Sequence, residues 1–230
     1  MKTLFLSLFL ATLVAQQAMA ANEISANDEA FQISSVQINE VVPTAAELYS
    51  AAVEPRVQPR LQMFEIGGIE WSTLVTIGEK LIEIIKAGAP VVNIKRDVIS
   101  VVPQGITSWE QLSNWQVPLT KVYEVKATNG WGSDVVKVRL KVSAMTGGGV
   151  EGRGQYVANV TIVPTEIVVQ WGFSLDVWSE NRPAVNMGTT AMPVAGLGFD
   201  IRYKVTSLFT QKNGTQDYFI TGAGQLIEMQ

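Results

Sequence analysis

Asp176 and Glu180 are the carboxylates that come closest to a catalytic constellation, four residues apart on a strand and in the turn beyond it. Two positioned carboxyl groups are what glycoside hydrolysis needs. Here Asp176 is expected on the wet face of its strand and Glu180 beside Arg182, so neither has the enclosed, pKa-shifting setting that acid–base work requires. The other acids of the body stand singly beside a base or in a turn, as Asp97 after Arg96 and Glu151 before Arg153 do. The chain has no histidine and no cysteine. It therefore lacks Ser-His-Asp and Cys-His nucleophile systems, imidazole chemistry, histidine or thiolate metal ligation and disulfides. No Asp-x-Asp-x-Asp calcium loop is present, and Gly147-Gly148-Gly149 lacks the Lys-Ser/Thr of a phosphate loop and reads as a turn. A non-catalytic protein without cofactor or metal is expected.

The residues better suited to chemistry are those that bind. Trp109, Trp115, Trp131 and Trp178 fall in or beside expected loops, where an indole offers a flat face to a sugar, a peptide or a lipid interface. The other reading is that some of them fold back over the open ends of the fold. Lys137, Arg139 and Lys141 alternate along one strand, with Lys121 and Lys126 on its expected partner. Such a stripe could meet anionic glycans or headgroups, or be a solvated face that discourages edge pairing.

The elements that must position these residues are mostly strands. In 166–178, Val169, Trp171, Phe173, Leu175 and Val177 alternate with Gln170, Gly172, Ser174 and Asp176, the period of a strand with one buried face. Similar alternation marks 91–102, 119–128, 134–144, 155–163 and 195–209, with a short strand over 184–187 and a last strand or strand pair over 217–229. Asn129-Gly130 is a hairpin signal between 119–128 and 134–144. The spacing predicts an all-β, antiparallel β-sandwich of about seven or eight strands across 90–230. An eight-stranded outer-membrane barrel has the same crude pattern, but the strands vary in length and the tryptophans do not form girdles.

Ahead of the sandwich, Trp71 to Lys86 shows apolar residues at three- and four-residue spacing. Trp71, Leu74, Val75, Leu81, Ile82 and Ile85 are the candidates for the apolar face of one amphipathic helix within 67–89, with Ser72 as N-cap and Gly88-Ala-Pro90 as the stop. That helix either packs on the sandwich or lies on a membrane. Glu79 and Glu83 balance Lys80 and Lys86 on its polar face, which favours packing.

The N-terminus is organised for export. Lys2, the uncharged run Leu4 to Val14 and Ala18-Met19-Ala20 are the parts of a signal peptide spanning 1–20, cleaved after Ala20, which sends the protein to the periplasm or the exterior. Residues 21–66 follow as an acidic, flexible leader, linker or pro-segment, or alternatively as a docking arm anchored by Leu61, Met63, Phe64 and Ile66. They hold Glu23, Asp28, Glu29, Glu40, Glu47, Glu54 and Glu65 against Arg56 and Arg60. The remainder balances its charges within a net charge of −4, so nucleic acid is not expected as a partner.

The order of export signal, acidic leader, amphipathic helix and cysteine-free sandwich is similar in outline to the actinoporin-type pore-forming proteins. The resemblance is of layout, and it implies a helix that inserts after aromatic loops dock on lipid. The leading expectation is an exported, non-catalytic sandwich that binds a glycan, a protein or another surface ligand through loop aromatics. The alternative is a membrane-active protein that uses the helix on a lipid bilayer.

Overall fold

The computed structural model describes residues 28–49, 70–78, 80–87 and 92–229. Among them are thirteen strands: β1 Ile33–Val41, β2 Glu70–Ile77, β3 Ile82–Ala87, β4 Val92–Arg96, β5 Ile99–Gln104, β6 Leu119–Asn129, β7 Asp134–Val150, β8 Arg153–Val169, β9 Phe173–Asn181, β10 Val185–Asn186, β11 Ala195–Ser207, β12 Gln211–Thr221 and β13 Leu226–Met229. A five-residue helix, α1, covers Ala45–Tyr49, and a 3-10 turn covers Trp109–Gln111. One sheet has the order β1-β6-β7-β8-β5-β2; the other runs β13-β12-β11-β9-β3-β4, with β10 beside β11. The pairings are antiparallel, and the fold is the all-β sandwich that the alternation implies. There are more strands than expected because β1 falls in the expected leader, β2 and β3 replace the expected helix, and one alternating stretch is split. Residues 91–102 break at Asp97-Val98 into β4 and β5, and of the two readings of 217–229 the strand pair is found, as the end of β12 and β13.

The core lies between the sheets. Val136, Val138, Leu140 and Val142 of β7 point inward while Lys137, Arg139 and Lys141 point outward. From the other sheet Leu175, Val177, Phe199, Ile201 and Ile220 meet them, all inaccessible to solvent. Tyr123 of β6 and Tyr218 of β12 bridge the two layers with ring centroids 4.5 Å apart. Burial raises both phenols well above the ordinary tyrosine pKa, and neither hydroxyl has a hydrogen-bond partner among the described residues.

Several expectations are corrected. The helix over Trp71–Lys86 is instead two strands in different sheets, β2 ending at Ile77 and β3 beginning at Ile82. Gly78 has φ +101°, and a Cβ there would lie 2.3 Å from the Val98 carbonyl oxygen. The flanking segments are rich in β-branched residues, which favour strands. Within β3 the buried residues are Ile82 and Ile84, at period two, while Ile85 is about half exposed. Leu74 and Val75 are only partly buried, and Leu81, just ahead of β3, is buried. The helical spacing arose from two strands read as one continuous stretch. Among the described residues no helix is long and apolar enough to cross a membrane.

The leader is also more structured than expected. β1 pairs along β6 from Ile33 to Val41, so this stretch is part of the first sheet. A register shift between Ile33 and Ser35 breaks the alternation that would have betrayed the strand. Beyond it, Thr44 and Glu47 cap α1 reciprocally, the Glu47 N–H donating to Thr44 Oγ1 while Glu47 Oε2 accepts from the Thr44 N–H at 2.7 Å. Signal cleavage after Ala20 and the anchor Leu61, Met63, Phe64 and Ile66 lie outside the described residues.

Two more corrections concern turns. Trp171 is not on a core strand: β8 ends at Val169, residues 170–172 turn, and β9 begins the other sheet at Phe173. Gly147-Gly148-Gly149 is strand rather than turn, and the chain reverses at Glu151-Gly152 instead. A Cβ on Gly148 would lie 2.5 Å from the Trp115 ring, so glycine here marks close packing by an aromatic.

Candidate functional site

The strand directions sort the connections into two ends. At one end β6, β8 and β11 begin; at the other they finish and β7, β9 and β12 start. The four candidate tryptophans do not assemble. Trp109 and Trp115 share the first end, with ring centroids 6.1 Å apart and planes at 73°. Trp131 sits alone in the β6–β7 turn at the opposite end. Trp178 is not in a loop at all. It lies within β9, half-buried on the outer face, paired in register with Arg202 of β11 and Glu83 of β3.

The basic stripe is covered. Arg139 donates to Glu47 Oε2 at 3.0 Å and to the Val42 carbonyl at 3.1 Å, and Lys141 donates to the Glu47 carbonyl at 3.3 Å. Lys137 reaches Glu166 at 3.0 Å and Glu124 at 3.8 Å. The acidic arm Val42–Tyr49 thus lies over the stripe and leaves Lys141 buried. Glu47 is buried as well, which by itself would raise its carboxyl. The bonds from Thr44 and Thr165 and the Arg139 charge outweigh this and hold it below the ordinary value of 4.5.

The acid pair is neutralised across strands. Asp176 meets Lys204 at 2.6 Å, and Glu180 meets Arg202 at 2.9 Å. Four residues along a strand separate them by about 13 Å at roughly 3.3 Å per residue, beyond the roughly 5–9.5 Å that glycoside hydrolysis uses.

The end that holds Trp109 and Trp115 also holds a cleft of about 400 Å³. Its walls are the β7–β8 hairpin tip (Gly147, Gly149, Gly152, Gly154, Gln155), Asn114 from the loop before β6, and Met192-Pro193-Val194 before β11. Three contacts hold the walls in place. Ser113 and Gly149 exchange backbone hydrogen bonds at 3.0 and 2.8 Å, the Gln155 N–H donates to the Pro193 carbonyl at 2.9 Å, and Gln155 bridges Val194 in parallel. Trp115 braces the hairpin from behind through Gly148, and its buried Nε1 has no partner among the described residues. None of the lining residues is titratable. The cleft offers two side-chain amides, glycine backbone and one apolar wall. Just inside it, burial pushes the Tyr156 phenol up to about 12.

Asn114 and Gln155 were not singled out from the sequence, because single amides in loops carry no pattern. Asn114 adopts φ +65°, a conformation asparagine tolerates better than most residues. No family model matches the chain, and no curated protein or solved structure matches it.

Proposed function

We propose that this is an exported, non-catalytic binding protein of the periplasm or exterior, and that its ligand is a neutral saccharide held in the glycine-walled cleft. The observation that carries the reading is the lining itself. Amides and backbone groups beside an apolar wall suit hydroxyl-rich ligands, which need paired hydrogen-bond donors and acceptors and an apolar face, and need no charge. Chemistry on the ligand is not proposed, since the lining has no titratable group and Asp176 and Glu180 are each engaged by a cation on the outer face. Trp115 braces the hairpin and Trp109 packs against Trp115, and neither is assigned to stack on the sugar.

The test is binding to an immobilised panel of neutral oligosaccharides by the wild type and by two variants. Asn114→Gly removes an amide while keeping the left-handed backbone, and Gln155→Ala removes the other. Each loses roughly tenfold in affinity, the scale of one or two hydrogen bonds to a ligand, with little change in melting temperature. Absence of binding to the whole panel, or undiminished binding by both variants, removes the proposal. The membrane-active alternative has lost the helix on which it rested and is not proposed in that form.

A further inference from the structure

The end opposite the cleft carries four large apolar side chains in solvent on three adjacent turns. Trp131 is 57% exposed, Trp171 76%, Leu208 68% and Phe209 58%. Phe31 ties them together: its ring lies 5.8 Å from Trp171 and 6.4 Å from Phe209, and 5.9 Å from the buried Phe173 beneath. The turn that carries Trp131 is fixed to the same segment by the Gly130 N–H, which donates to the Glu29 carbonyl at 2.9 Å. The Ile33 N–H donates to Thr210 Oγ1 at 2.8 Å and fixes the turn that carries Leu208 and Phe209. Exposed tryptophan and phenylalanine held on rigid turns cannot hide their surface by collapsing inward, and a patch of this kind marks an interaction surface.

We propose that this aromatic tip docks on a neutral, zwitterionic phospholipid surface. Two observations choose a bilayer over other occupants. Two of the four groups are indoles, which prefer the headgroup boundary where an apolar ring meets polar groups. The charged residues that flank the tip in the chain, Asp28, Glu29, Asp134 and Lys212, provide no basic excess and so no preference for anionic lipid. The tip is independent of the cleft, so the molecule presents its ligand site away from the surface on which it rests.

The experiment is co-sedimentation of the chain from Ala21 onward, which retains every described residue, with phosphatidylcholine vesicles. Wild type and Gln155→Ala sediment alike. Trp171→Ser/Leu208→Ser sediments at least tenfold more weakly at the same melting temperature, and Trp131→Ser, on a separate turn, is weakened as well. Tryptophan emission of the wild type is quenched by brominated phosphatidylcholine. The proposal is overturned if the wild type stays in the supernatant, or if the double variant sediments equally. It is also overturned if the wild type forms a dimer without lipid that the double variant abolishes, which assigns the tip to a second copy of the chain.

Discussion

Glu47 shows how one residue can reassign a whole row of others. Read along the sequence, Lys137, Arg139 and Lys141 form an unopposed basic stripe; in the fold Glu47 reaches Arg139 at 3.0 Å and accepts from Thr165 Oγ1 at 2.7 Å. Its partner lies 92 residues away, a separation that no local pattern reveals. Because the folded carboxyl is held below its ordinary pKa, its contribution to stability is complete above about pH 4.5 and is lost as pH falls through the lower folded value. Glu47→Gln is expected to cost about 1–3 kcal/mol near neutral pH, the range for charge-assisted hydrogen bonds, and the gap to wild type should close in melts taken well below pH 4. A gap independent of pH would mean that the carboxylate charge contributes nothing to holding the arm. At the hairpin tip, Gly148→Ala drives a methyl into the Trp115 ring, and overpacking of this kind costs about 1–3 kcal/mol in a denaturant titration. It should also weaken binding at the cleft that the hairpin walls.

Elements were legible where alternation ran without interruption. β7 and β11 follow from Val136 to Val142 and from Leu197 to Val205, where period two is regular and the opposite face is polar. β2 and β3 were misread because two short strands, interrupted by Gly78, mimic helical spacing when their residues are counted continuously. The two readings make opposite demands on neighbours. A helix buries Ile85 and exposes Ile84, whereas β3 buries Ile84 completely and leaves Ile85 about half exposed. Ile84→Ala should therefore cost about 2–5 kcal/mol, as cavity-forming core substitutions do, and Ile85→Ala should fall within about 0.5 kcal/mol of wild type, as at exposed positions. Equal effects, or the reverse order, in chemical unfolding would contradict the strand assignment. β1 escaped notice for a different reason. It is an edge strand with a register irregularity, and Val36 and Ile38 are only half-buried, so its pattern is weak even though its pairing is long.

At the scale of the molecule the two sheets produce a body with unlike ends. Class and architecture were legible because an all-β sandwich depends on how often alternation and turns recur, which is a local property. The site was not, because it depends on which turns meet. Trp109 and Trp115 come together at one end and Trp131 goes to the other, a division set by strand direction. Trp171, taken for a core residue, is among the most exposed large side chains because the chain changes sheets there. Asn114 and Gln155 become neighbours of one cleft only through the 113–149 and 155–194 bridges. The measurement that bears most directly on the binding role is amide hydrogen exchange of the protein with and without a saturating neutral oligosaccharide. The expected result is slowed exchange confined to residues 113–114, 147–155 and 192–194, the walls of the cleft. Slowing confined to residues 170–172 and 208–210, or no change anywhere on the fold, would contradict it.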